Sequence, residues 1–158
     1  MDIALENGDD AFVLEGLSYL TPVLDETLRA AILIATGAWR AQAEFELEPG
    51  LLRLSVDRAH WENGRWVFQP SLRVFEYEDY ELNRRLDEGV EPIFETQFAD
   101  VESFGRATLK AAEELQAKHG YDGYDDLWTS TPFPVRAVAA LKAALNTEKL
   151  TSEHDWTT

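Results

Sequence analysis

The chain contains no cysteine in its 158 residues, which removes disulfides, thiolate metal sites and thiol nucleophiles together and predicts a reducing, cytoplasmic setting. Basic residues are scarce as well. Fourteen Lys and Arg stand against 30 Asp and Glu, a formal net charge of −16. A field of that sign repels phosphate backbones and argues against direct nucleic-acid binding. Long apolar runs are missing: Ala30 to Ala35 (AAILIA) falls far short of the roughly 20 residues of a membrane span, so no membrane association is expected. The acidic opening MDIALENGDD has none of the basic character of a signal peptide. No phosphate-binding, dinucleotide-binding, serine-hydrolase or zincin signature occurs, so no cofactor is expected.

What is present is an ordinary globular composition, 45% hydrophobic and 28% charged, at the length of one domain. With no repeat and no Gly/Ser- or Pro-rich linker, residues 1–146 read as a single globular domain. Residues 147–158 (TEKLTSEHDWTT) lack period and apolar content and read as a flexible C-terminal tail. Charge is unevenly placed: residues 1–28 hold seven acidic side chains before the first basic one, Arg29. Residues 76–100 hold nine against Arg84 and Arg85.

The pattern predicts an α+β fold, an antiparallel meander over about 39–77 with an N-terminal hairpin, packed against helices at about 22–36, 101–118 and 134–146. Strands at Ile3–Leu5 and Ala11–Leu14 flank Asn7-Gly8, a turn signal. Trp39, Ala41, Ala43, Phe45 and Leu47 alternate with polar residues and form the inward face of the clearest strand. A wide loop at Pro49-Gly50 with Glu48 facing Leu51 sets Phe45 opposite Leu54, Ala43 opposite Val56 and Glu46 opposite Arg53. Asn63-Gly64 predicts a two-residue hairpin turn that sets Trp61 opposite Trp66 and His60 opposite Val67. The apolar set Trp66, Phe68, Leu72 and Val74 then reads as one core-facing strand, which requires a bulge near Asp57–His60 to switch parity. A short helix is expected over Tyr80–Leu86.

Four groups of residues bear on chemistry. Glu44, Glu46 and Glu48 stand on one strand face, either as a solvated surface or as a ridge matched to a basic partner. The segment holding Glu76, Tyr77, Glu78, Asp79 and Tyr80 mixes rings with carboxylates, which suits contact with a basic partner and equally suits a strand running into a helix N-terminus. His60, Trp61 and Trp66 form a candidate pocket rim, against the plainer reading of a strand histidine beside packed rings. Asp122, Asp125 and Asp126 offer oxygen ligands to a hard cation, although the order of a calcium loop is absent and turn or cap duty explains them.

Size, acidity and missing catalytic motifs resemble those of small acidic immunity and antitoxin proteins, a likeness of class. The expectation is a non-enzymatic inhibitor that neutralises a basic protein partner such as a nuclease toxin. Two alternatives stay open: a carboxylate-based, metal-dependent hydrolase or transferase, and a DNA-mimic regulator that occupies a DNA-binding protein.

A net charge of −16 has a thermodynamic consequence whatever the partner, because self-repulsion grows as the last carboxylates ionise. Added salt, or mild acidification from neutral pH, should therefore raise the melting temperature in a calorimetric scan. A midpoint that falls on both treatments would show specific ion pairs to outweigh the general repulsion.

Overall fold

In a computed structural model the described residues are 3–14, 22–47, 50–78, 90–128 and 131–152. Strands β1 (Ile3–Asn7) and β2 (Asp10–Leu14) form a hairpin, followed by helix α1 (Val23–Ala35). Strands β3 (Arg40–Glu46), β4 (Leu51–Asp57), β7 (Ser71–Tyr77) and β8 (Phe94–Gln97) make one antiparallel sheet in the order β3-β4-β7-β8. Between β4 and β7 the chain leaves the sheet to build a second hairpin from β5 (His60–Glu62) and β6 (Arg65–Val67). Helices α2 (Glu102–Leu127) and α3 (Val135–Ser152) complete the α+β fold.

The sheet has the expected parity on its core face and a different register. Ala41 faces Val56, Ala43 faces Leu54 and Phe45 faces Leu52, a shift of two residues from the reading that set Phe45 opposite Leu54. The loop is the cause. It is centred one residue earlier, closed across Leu47 and Gly50 by the Leu47 N–H donating to the Gly50 carbonyl at 2.9 Å, rather than across Glu48 and Leu51. Gly50 has φ 115° and a Cβ there would lie 2.5 Å from the Tyr77 carbonyl oxygen, so only glycine fits. A two-residue slip keeps every side chain on its own face, which is why the burial pattern survives it.

The meander is interrupted where one continuous apolar strand was expected. Leu72 and Val74 are buried in β7, but Trp66 and Phe68 are exposed and belong to the β5–β6 arm and its exit. Strand β8, pairing Val74 with Phe94 and Leu72 with Thr96, adds a fourth sheet strand. As the central strand, β4 is buried along its whole length: Leu52, Leu54 and Val56 on the helix side, Leu51, Arg53, Ser55 and Asp57 on the other.

Helix α1 lies on β3, and α2 and α3 pack against α1 and each other. A helix in that middle position must be apolar on more than one side, and α1 buries Val23, Leu24, Leu28, Ala30, Ala31, Ile34 and Ala35. Asp100 starts α2 by accepting the Ser103 N–H at 2.8 Å and the Ser103 hydroxyl at 3.0 Å. The stop signal at His119-Gly120 is real, since Gly120 breaks the helix at φ 67°, but helical turns resume over 121–127. Gly105 faces Leu145 Cδ2 at 3.1 Å from where its Cβ would be, which lets α2 and α3 approach closely. Helix α3 continues through Ser152, beyond the expected end at 146. The anticipated helix over Tyr80–Leu86 lies outside the described residues, as do residues 153–158 of the anticipated tail.

Phe45 is fully buried, whereas Glu76 in the neighbouring strand β7 is exposed. Phe45→Ala should cost about 3–5 kcal/mol in urea unfolding through the cavity it leaves, and Glu76→Ala under about 1 kcal/mol. Comparable losses at the two positions would contradict the placement of the core.

Candidate interaction surface

The β5–β6 arm is set by the residues at its base. Asp57, buried at the end of β4, accepts from Arg40 Nε of β3 at 2.5 Å and from Arg73 Nη2 of β7 at 2.8 Å, joining three strands through one carboxylate. Arg58 reaches the other way, its guanidinium donating to the Ile34 carbonyl near the end of α1 at 2.5 and 3.2 Å. Its backbone N–H donates to the Trp39 carbonyl at 2.9 Å. On the return, the Pro70 carbonyl accepts from Phe98 N–H at 2.8 Å. Within the arm, Asn63 at φ 48° and Gly64 at φ 80° supply the left-handed pair that a two-residue turn demands, and Trp61 faces Trp66 as the sequence predicts.

Four aromatic rings meet on this arm. Trp61 packs edge-on against Trp66 at 5.5 Å between centroids, Trp66 lies 6.2 Å from Trp39, and Trp39 lies 5.9 Å from Phe68. All four remain exposed, at 62% for Trp39, 61% for Trp61, 56% for Trp66 and 71% for Phe68. Contiguous exposed rings are unusual on a surface with no partner, since each keeps apolar area in water. Trp39 and Phe68 stand in the sequence as core residues by alternation. The structure overturns this: β3 begins only at Arg40 and α1 ends at Ala35, so Trp39 stands beyond the end of the helix and stays exposed. His60 pairs with Val67 and Trp61 with Trp66, so strand alternation turns the half-buried His60 to the opposite side of the arm from those two rings.

The acidic candidates divide between sites. Glu44 is half exposed and its carboxylate accepts from Arg53 Nε at 2.9 Å and Nη2 at 2.8 Å, while the Arg53 guanidinium lies 5.1 Å from the Tyr77 ring centre. Arg53 Nη1 also donates to the Tyr77 hydroxyl at 3.3 Å. Glu44, Arg53 and Tyr77 are therefore one tied group on the sheet face opposite the helices. Glu46 is half-buried beside them, facing Leu51. Phe75 is buried, and Glu76, facing Leu52, points to the other side of the sheet from Tyr77. Glu78 is exposed at the strand end; Glu48, Asp79 and Tyr80 lie outside the described residues. Residues 57–68 carry Asp57 and Glu62 against Arg58 and Arg65, so the arm is charge-balanced within a strongly acidic chain.

Asp122, Asp125 and Asp126 are exposed on the helical turns after Gly120. Asp125 accepts from the Phe133 N–H at 3.2 Å, tying the end of α2 to the entry of α3. Among the described residues no group of three or more His, Asp or Glu is placed to hold a metal ion. No helix of these residues is long and apolar enough to cross a membrane.

Between these acids lies Tyr124, whose hydroxyl burial, helped by the charges of Asp25 and Asp125, pushes up to about 12. A phenol that holds its proton more tightly folded than unfolded favours the native state below its ordinary range near 10. That contribution is lost as pH rises from about 10 towards 12. Absorbance titration at alkaline pH should show one late-ionising tyrosine, absent in Tyr124→Phe, and the variant should lose less stability over that interval than the wild type.

Compared with known proteins, the chain matches no protein-family model, no curated protein and no solved structure.

Proposed function

We propose that this protein is a non-enzymatic binding protein that neutralises a basic protein partner, in the manner of an immunity or antitoxin inhibitor of a nuclease, and that the rings of the β5–β6 arm anchor the contact. The observation that carries the reading is the cluster of Trp39, Trp61, Trp66 and Phe68, four exposed rings in a chain of contacts, two on the braced hairpin and two flanking it. Tryptophan is the residue most often found at interface hot spots, because a large rigid ring buries much area at little conformational cost. The base of the arm is fixed by Asp57 and Arg58, so the rings need little ordering on contact.

Charge and rings then have separate tasks. A net charge of −16 draws a cationic surface in and speeds encounter, with an effect that salt weakens. Glu44, Glu46, Glu76 and Glu78 contribute to that field, with Glu48 and Asp79 from the same stretches of sequence. The charge-balanced arm supplies the short-range contact, where apolar burial sets the dissociation rate.

The test measures binding to, and inhibition of, a panel of purified cationic nucleases by surface-based kinetics across a salt series. Trp66→Ala should weaken a bound pair by about 2 kcal/mol, roughly 30-fold, through faster dissociation. The double variant Glu76→Lys/Glu78→Lys should slow association and flatten its salt dependence while leaving dissociation nearly unchanged. The proposal fails if no cationic nuclease is bound or inhibited, or if Trp66→Ala leaves the dissociation rate as it was.

A further inference from the structure

A second recognition feature lies elsewhere in the fold. Hairpin β1–β2 stands over the gap between α1, α2 and the β7–β8 side of the sheet, and encloses with them a cavity of about 310 Å³. That is the lower end of the roughly 300–1,000 Å³ of small-molecule sites. Its walls are mainly apolar, with Leu5, Val23, Leu72, Phe98, Phe104 and Leu115 around it. The hairpin is held in place by a polar clip and a ring stack: Asn7 and Asp10 both bond Thr96 of β8, and Phe12 stacks on Phe94 at 5.1 Å.

Hydrogen-bond accounting at the lining gives the site a polarity. Thr27 donates its hydroxyl proton to the Val23 carbonyl at 2.7 Å, and Thr108 donates its own to the Phe104 carbonyl at 2.9 Å. Thr96 donates to Asp10 Oδ2 at 2.7 Å. Asn7 spends both amide protons, on Thr96 Oγ1 at 2.8 Å and the Gln97 carbonyl at 2.6 Å. The side-chain donors of these four residues are thus committed, and lone pairs on Thr27, Thr108 and Asn7 remain. Glu6, an ionisable residue of the described lining, adds carboxyl oxygens that accept.

We infer that the cavity is a binding site for a small neutral apolar molecule whose polar group donates a hydrogen bond, an alcohol or a phenol. A carboxylate has no proton to give to these acceptors, and it is further repelled by a chain of net charge −16. An ammonium head would give up far more hydration than a hydroxyl, and the neutral lone pairs of Thr27, Thr108 and Asn7, with Glu6 itself exposed to water, do not replace it. A hydroxyl meets neither obstacle, and its alkyl or aryl body replaces water against the side chains of α1, α2 and β7.

Calorimetry and thermal shift on the full chain, with 1-octanol and octanoate as matched probes, test the assignment. One saturable octanol site that raises the melting temperature is expected, with octanoate giving neither effect. Ala111→Phe and, separately, Ala107→Phe fill the cavity from exposed positions on α2 and should abolish octanol binding while circular dichroism stays native. Thr108→Val keeps the shape, removes an acceptor and should weaken octanol about fivefold, the worth of one neutral hydrogen bond, with toluene binding unchanged. Octanoate binding as tightly as octanol, octanol binding undiminished in the natively folded filling variants, or no saturable octanol binding to the wild type would each overturn the inference.

Discussion

One buried carboxylate, Asp57, holds the base of the β5–β6 arm. It sits at the last position of the central strand, receives arginines from the strands on both sides, and immediately precedes the chain's departure into the β5–β6 arm. A carboxylate with so little exposure is tolerable only with such partners, because losing them would leave an uncompensated buried charge. Arg58 extends the brace to the helix layer through the Ile34 carbonyl. Sheet, helix and arm are joined within two consecutive residues, and the exposed rings project from that junction.

The layer arrangement explains the composition of α1. Lying on β3 with α2 and α3 against it, this helix has little solvent-facing surface, and its AAILIA run meets neighbours on several sides. Small residues also set how closely the layers meet. Alanines at 41 and 43 leave room for α1 over β3, and Gly105 lets Leu145 of α3 approach the α2 backbone. Gly105 gives up about 0.5–1 kcal/mol of helix stability relative to alanine, which the close packing offsets.

Among the described residues, most acids stand on the N-terminal hairpin, the helices and the strands of the main sheet, whereas the arm with its rings carries balanced charge. A carboxylate next to a ring would have to be desolvated whenever the ring is buried in a complex. In the proposed complex, an arm without net charge lets long-range attraction and short-range burial act together at less of that cost.

Fold class, three helices, both hairpins and the inward parity of β3 and β4 were legible from the sequence, because periodicity and turn chemistry are local properties of the chain. Asn63-Gly64 fixed the Trp61–Trp66 pairing for the same reason: a two-residue turn dictates its own register. The β3–β4 register was not legible, since a turn centred one residue earlier or later shifts the pairing by two, buries the same side chains, and the sequence pattern cannot separate the two. Nor was the fate of Trp39, Trp66 and Phe68. Alternation reports which residues share a face, but only the length of α1 and the departure of the arm from the sheet decide whether anything covers that face. The same limit applies to the carboxylates: strand parity places Glu44 beside Glu46, while the tie of Glu44 to Arg53 and Tyr77 depends on which strands become neighbours. The cavity beneath the N-terminal hairpin was decided by tertiary structure alone, because its walls come from five separate stretches of chain that no local pattern connects.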